Sequence, residues 1–430
     1  MIERITIEQL YGIYDYDIQI NKDQPVTIIT SPNGYGKTTI LKIISHLFAC
    51  DFWYFSLLKF ASINIYFRNG KQIVVRKGSK TLPDNEREDL FSTAKEYVKF
   101  SFKDSQGKDI ETFEINETDI LRWERKSLRS SINFRIGEKE FIDEEELYSE
   151  YFNEINDTIL SEKSKNIRMF MQEFRCSFIK EQRLITPIIV QENRRRFRNL
   201  PAIENIAIEL QETFSKAQQA FAMASQEIDA TFIERLVKEE YQQLSKEDFQ
   251  KKIESLRTKM NNFRKYGLVP QTDILEEYSS EFQKVLSLYI DDMENKLSNY
   301  DTFYRQLAIF DDFVSYKQLS NKRISLNDKR GIVVYDSNEQ EVPLSKLSSG
   351  EQNLIILYYK LSFGLNNHSL LLIDEPENSL HIAWQRQMLD DYLKMAKELR
   401  CQVIIATHSP TFINGRWDIA FDLFKNRYQD

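Results

Sequence analysis

The sequence predicts an α/β head, a mixed sheet flanked by helices and extended by an antiparallel β-subdomain, with a helical hairpin inserted into it. Three observations predict this. A glycine-containing turn at 31–38 joins a strand to a helix, the run at 369–373 is apolar throughout and ends in two acids, and residues 202–313 contain only Gly267 and Pro270 as breakers. A chain of 430 residues exceeds the size usual for one core, so a large head carrying an insertion, or two domains, is expected. The expected division is an N-terminal part of the head at 1–200, a helical insertion at 201–320 and a C-terminal part of the head at 321–430.

Strand-like segments at 4–7, 17–20 and 26–30 lead into the turn at Ser31, and 38–48 has helical spacing. Segments 62–67, 72–76, 97–103 and 110–115 then alternate apolar and polar residues, with Arg68-Asn69-Gly70 as a turn, which predicts an antiparallel subsheet. From about 144 to 175 the pattern turns helical. Gly267 and Pro270 split 246–266 from 273–300, which reads as an antiparallel helical hairpin with arms of roughly 30 to 40 Å at 1.5 Å per residue. Such a hairpin can pack on the head as a subdomain or project from it as an interaction arm. Short strands at 324–326 and 331–335 return the chain to an α/β pattern.

Bulk properties narrow the classes. A net charge of -8 with 29% charged residues argues against a chain built mainly to coat nucleic acid or anionic lipid, although the basic run at 194–198 keeps a nucleic-acid partner open. Cys50, Cys176 and Cys401 are far apart and show no paired spacing, as in a reduced protein. The first ten residues carry charge and no apolar h-region, and no run approaches the roughly 18 to 20 apolar residues that span a bilayer. No membrane partner and a cytoplasmic location are therefore expected.

The turn reads Ser31-Pro32-Asn33-Gly34-Tyr35-Gly36-Lys37-Thr38. Between a strand and a helix, Gly34 and Gly36 let the backbone approach a phosphate, successive N–H groups point at the anion, Lys37 reaches the β- and γ-phosphates and Thr38 offers its hydroxyl to Mg²⁺. Ser31 stands where the G-x-x-x-x-G-K-[ST] pattern has its first glycine. The apolar run at 369–373 predicts a strand buried on both faces that delivers Asp374 and Glu375 at its C-terminal end. Alone, that pair could be no more than a polar end to a strand entering the Pro376 turn. With a phosphate loop upstream, Asp374 is expected to hold the metal and Glu375 to deprotonate the attacking water. Leu347-Ser348-Ser349-Gly350-Glu351-Gln352 precedes an apolar helix, so a hydroxyl, a glycine and N–H groups lie at a second positive helix end, with Ser348 or Ser349 as its cap. A strand at 402–406 ends in Thr407-His408-Ser409-Pro410, which places an imidazole where ligands collect.

These four elements, in this order, resemble the ABC-type ATPases, specifically the SMC, RecF and OLD-like branch rather than transporter subunits. The resemblance covers the head on both sides of the helical insertion. It implies ATP and Mg²⁺ as ligands, a dimer in which Ser348 and Gly350 of one copy close the nucleotide site of the other, and possible higher homo-oligomers. Asn33, Gly34, Tyr35, Gly36, Lys37, Thr38 and Thr39 would contact nucleotide from one copy, and Ser348, Ser349, Gly350 and Glu351 from its twin. Asn378-Ser379-Leu380-His381 looks like the family's D-loop, and the apolar run ending in Gln182 like the Q-loop that touches Mg²⁺ and water. Glu375, His408 and Lys37 are the expected catalytic residues, and Thr38, Asp374 and Gln182 the expected metal contacts.

Helical insertion, size, and the pairing of LSSGEQ with LLLIDEPENSLH look most like the stand-alone ATPase subunits of bacterial phage-defence cassettes of the Septu and PARIS types, where a separate nuclease is the effector. The 22 residues after His408 leave no room for a nuclease domain, and His46, His368, His381 and His408 are too few and too committed for a histidine-metal nuclease, so cutting is expected from a partner. A RecF-like or SMC-like DNA-repair ATPase is the alternative. A transporter ATPase is disfavoured by the helical insertion, and a module that holds ATP without turnover remains the fourth reading.

Overall fold

The computed structural model describes residues 1–81, 94–116, 167, 170–171, 175–181, 183–192, 194–238, 242–271, 277–316, 319, 321–364 and 370–425. The chain divides into two compact units, Met1–Gln182 with Gly364–Asp430, and Arg183–Phe363. The boundaries thus fall at 182/183 and 363/364, whereas the sequence pattern places them at 200/201 and 320/321. The expected helical stretch at 144–175 lies almost wholly outside the described residues.

The first unit holds two sheets. One is entirely parallel, in the order Ala420–Asp422, Val26–Thr30, Gln402–Thr407, Leu370–Asp374 and Cys176–Ile179. Every residue of Val26–Thr30, Gln402–Thr407 and Leu370–Asp374 is buried, which is why these strands read as continuous apolar runs. The other sheet is antiparallel, in the order Tyr14–Gln19, Ile2–Leu10, Ser62–Phe67, Gln72–Thr81, Ala94–Lys103 and Asp109–Asn116; its last four strands are the subsheet that the alternation predicts, and the first two strands of the chain extend it. Gly70, at φ 79, makes the predicted turn, its N–H bonding Phe67 O at 2.9 Å. The helix Lys37–Phe48 joins both sheets in one core through Ile40, Leu41, Ile44 and Leu47, none of them exposed. Gln402 ties strand to strand across the unit, accepting from Ile2 N at 2.8 Å and donating to Ile2 O at 2.7 Å.

The second unit contains the hairpin Ile185–Glu192 with Arg194–Pro201, a three-stranded sheet of Arg323–Asn327, Gly331–Tyr335 and Glu341–Val342, and the long helices. Ala202–Lys238 pairs with Gln283–Ser298 antiparallel, as the crossed pairs Arg235–Asp292 (2.5 Å) and Lys296–Asp229 (2.6 Å) show. Lys246–Arg264 behaves differently from the expected hairpin arm. Its pairs Lys252–Glu294, Lys259–Asp301 and Lys265–Asp311 advance together along the chain, so it runs parallel to Gln283–Ser298 and Asp301–Tyr316. The connection at 265–282 is long enough to carry the chain back to the starting end, which a tight Gly-Pro turn is not. Ser349–Phe363 packs on these helices through Phe310–Tyr359, Phe313–Tyr358 and Phe303–Phe363 ring contacts.

Gly331, at φ 66, lets its strand lie on Ala202–Lys238; a Cβ there would come within 2.1 Å of Ala207 O. Gly331→Ala is expected to destabilise the protein by about 2 kcal/mol or more, read as a lowered urea midpoint.

Candidate nucleotide-hydrolysis site

Parallel pairing brings the chemistry of the first unit to one sheet edge. Thr30 pairs with Thr407 and Asp374 with Ala406, so the phosphate loop, the acid pair and His408 all leave their strands at the same level. The loop, Glu375 and His408 line a cavity of about 670 Å³ together with Tyr11, Thr39, Glu181, Glu377, Asn378 and Gln385, and Asp374 lies behind the lining residue Thr38, to which it is bonded.

The phosphate loop has the conformation its glycines permit. Gly34 and Gly36 adopt φ 89 and 80, where other residues are strained, and Gly34 faces open space. The helix Lys37–Phe48 that follows has neither a side-chain cap nor an acid in its first turn, so its N–H groups and positive end are left for an anion. Lys37 is buried, and its Nζ donates to Ser31 O at 2.9 Å and Pro32 O at 3.3 Å. Tyr16 Oη donates to Tyr35 O at 2.8 Å and fixes the loop crest, and Tyr11 bonds the Thr39 hydroxyl. Tyr35 itself packs between Tyr14, tilted to it, and Phe424, which meets it edge to face.

Thr38 Oγ1 donates to Asp374 Oδ1 at 3.2 Å. Burial pushes the Asp374 carboxyl up to about 6, partly offset by the Thr38 bond. Glu375 stands at φ 43, held by Glu375 N to Ala406 O at 2.9 Å and Asn378 N to Glu375 O at 3.1 Å. A side chain kept in that sparse region marks a position the surroundings over-determine. Its Oε2 lies 2.7 Å from His408 Nδ1, a bond that raises the His408 pKa against a smaller opposing effect of burial. Burial likewise pushes Glu377 up to about 7.

The donor set fits the ligands the sequence implied. A hydroxyl beside a carboxylate is an all-oxygen pair suited to Mg²⁺, and the glycine cradle, Lys37 and bare helix end suit a triphosphate. Thr38 and Asp374 would hold the metal; Gln182 lies outside the described residues.

The signature residues, Ser348, Ser349, Gly350 and Glu351, belong to the second unit. Ser348 and Glu351 form a reciprocal cap: Glu351 Oε2 accepts from Ser348 N and Oγ, each at 2.9 Å, and Glu351 N donates to Ser348 Oγ at 3.3 Å. Lys322 bonds the other oxygen at 2.6 Å. Burial alone would raise the Glu351 carboxyl, yet Lys322 and Ser348 hold it below its ordinary value. Glu351 is thus buried in the loop it shapes, while Ser348 and Ser349 are exposed.

Residues 1–413 match the family model described as AAA ATPase domain. The chain belongs to the AAA ATPase domain family. The AAA ATPase is 30% identical over 95 residues to the DNA double-strand break repair Rad50 ATPase of Sulfurisphaera tokodaii, covering 21% of this chain and 11% of that one. It is 29% identical over 83 residues to the zinc import ATP-binding protein ZnuC of Buchnera aphidicola, covering 19% and 34%. The chain thus spans about a tenth and a third of these relatives. A solved SMC head bound to the C-winged-helix domain of ScpA aligns over 96% of this chain and 91% of that one, at 12% identity and a TM-score of 0.35. With a score that low, the fold assignment rests on the strand order itself. Among the described residues no helix is long and apolar enough to cross a membrane.

Sequence reasoning missed Tyr11, Glu181 and Glu377. Glu377 was visible as the second acid of the DEPE string; Tyr11 and Glu181 carry no pattern of their own.

Lys37→Ala is expected to abolish ATP binding in a fluorescent-nucleotide titration, because the buried ammonium is the loop's only side-chain cation. A pH dependence follows from the raised acids. Both carboxyls are neutral in folded and unfolded chains below about 4, and the folded state alone keeps its protons up to about 6 and 7. Stability of the nucleotide-free protein in chelator is therefore expected to fall as pH rises through that window, and Asp374→Asn to flatten the fall in a melting-temperature series.

Proposed function

We propose that this AAA ATPase is a switch: two copies close around ATP and Mg²⁺, hydrolysis reopens them, and the closed state licenses a separate effector, a nuclease, in bacterial anti-phage defence. The observation that carries the hydrolytic part is the Glu375–His408 pair at 2.7 Å, set in the same cavity as Lys37 and Thr38, with the buried Asp374 bonded to Thr38. Glu375 takes the proton of the attacking water, and His408 orients its carboxylate. Lys37 and the loop N–H groups bind the phosphates and stabilise charge developing on them. Mg²⁺, when bound, supplies charge neutralisation. Ser348 and Ser349, exposed on a loop that Glu351 and Lys322 hold rigid, present hydroxyls suited to the phosphates of a second copy. The defence role is supported by the resemblance of LSSGEQ and LLLIDEPENSLH to phage-defence ATPase subunits.

The second reading, a DNA-binding ATPase of the RecF or SMC kind, draws on the Rad50 likeness and on the arginines at 194, 195, 196 and 198. It predicts ATP-dependent binding to duplex DNA that weakens steeply with salt.

Glu375→Gln is expected to bind ATP normally, accumulate as a dimer in sedimentation, and lose turnover by about a hundredfold or more; wild-type turnover would exclude Glu375 as the base. Ser348→Arg and Lys37→Ala are each expected to be inactive, yet their mixture regains turnover, since one composite site then keeps both an intact loop and an intact signature. No activity on mixing would remove the case for action in trans. Phage challenge of cells carrying the chain with its neighbouring genes tests the defence role: protection is expected with wild type and lost with Lys37→Ala.

A further inference from the structure

Glu377 is a buried acid for which the hydrolytic scheme has no task. It is 5% exposed, and Thr407 donates its hydroxyl to Glu377 Oε1. Thr407, wholly buried, also accepts from Ser409 N at 2.9 Å through the same oxygen. The Glu377 carbonyl in turn accepts from Leu380 N at 3.0 Å and from Gln385 Nε2 at 3.3 Å. The turn after Leu370–Asp374 is therefore fastened at two places to the end of the strand Gln402–Thr407, and the turn that follows is tied to the second of them. Glu375 N to Ala406 O is the first, and the Glu377–Thr407–Ser409 relay is the second.

Glu375 belongs to the first fastening, and His408 lies between Thr407 and Ser409 of the second. The His408 side chain is 56% exposed, so packing does little to hold its ring, and its place against Glu375 has to come from the backbone on either side. A buried carboxylate is an expensive fastener where an apolar contact would join two turns equally well. What the acid adds is direction, because the Thr407 hydroxyl must point at it and the Ser409 N–H must point at the hydroxyl.

We propose that Glu377 is a positioning residue for ATP hydrolysis: through Thr407 it sets the loop carrying His408 and so keeps the imidazole against Glu375. The proposal rests on Glu375 acting as the base with His408 as its partner.

The test uses the full chain and measures kcat, KM for ATP and melting temperature for Glu377→Ala, Glu377→Gln, Thr407→Val and Thr407→Ser, and for Glu377→Ala combined with His408→Ala. Glu377→Ala and Thr407→Val are expected to lower kcat roughly tenfold to a hundredfold with KM nearly unchanged. Glu377→Gln keeps the accepting oxygen and Thr407→Ser the donating hydroxyl, so both are expected to recover most of the rate. In the His408→Ala background, Glu377→Ala is expected to add no further loss. Losses that multiply, or a Thr407→Ser enzyme as slow as Thr407→Val, would overturn the proposal. Should Glu377→Ala not fold, the Thr407 pair, of which only the serine variant keeps the hydroxyl, decides it. Failure of the underlying scheme shows elsewhere, as a Glu375→Gln enzyme that turns over at the wild-type rate.

Discussion

In-register parallel pairing of Val26–Thr30, Gln402–Thr407 and Leu370–Asp374 sets every distance in the cavity. Each strand is buried along its whole length, so a slip in register would displace side chains that are packed on both faces of the sheet. The register is therefore fixed by the core, and the core in turn fixes where the phosphate loop, Asp374 and Thr407 emerge. Gln402, bonded on both sides to Ile2, adds a polar lock at the opposite end of the same strand.

The charge arrangement follows from that burial. Asp374 and Glu377 end up where the ionised form is poorly solvated, so both hold protons more tightly than a free carboxyl. A divalent cation beside Thr38 and Asp374 reverses the balance, because it supplies the positive charge that the protein interior lacks. Glu375, held left-handed at φ 43, is strained at the same strand end.

Much of this was legible in the sequence. Ser31 to Thr38, the apolar strand ending in Asp374 and Glu375, and Thr407-His408 each carry a local pattern that physical chemistry ties to one conformation, and the structure brings them to one end of the parallel sheet, with Lys37, Thr38, Glu375 and His408 in one cavity. The antiparallel subsheet was equally plain from its alternation. Other features were beyond local reasoning. The direction of Lys246–Arg264 depends on ion pairs with residues some forty positions away, which helical periodicity does not encode. Glu351, read as a nucleotide contact, has its carboxylate turned to Ser348 and Lys322, because the S-x-x-E spacing of a helix cap was a competing use of the same residues. Tyr11 enters the cavity from a turn with no motif at all.

The position of the γ-phosphate in a crystal structure with Mg²⁺ and a non-hydrolysable ATP analogue bears most directly on the account. It should lie within hydrogen-bonding reach of Lys37 Nζ, with the metal on Thr38 and Asp374 and the Glu375–His408 pair facing the phosphorus. A triphosphate bound away from the 31–38 loop, or a metal remote from Asp374, would contradict it.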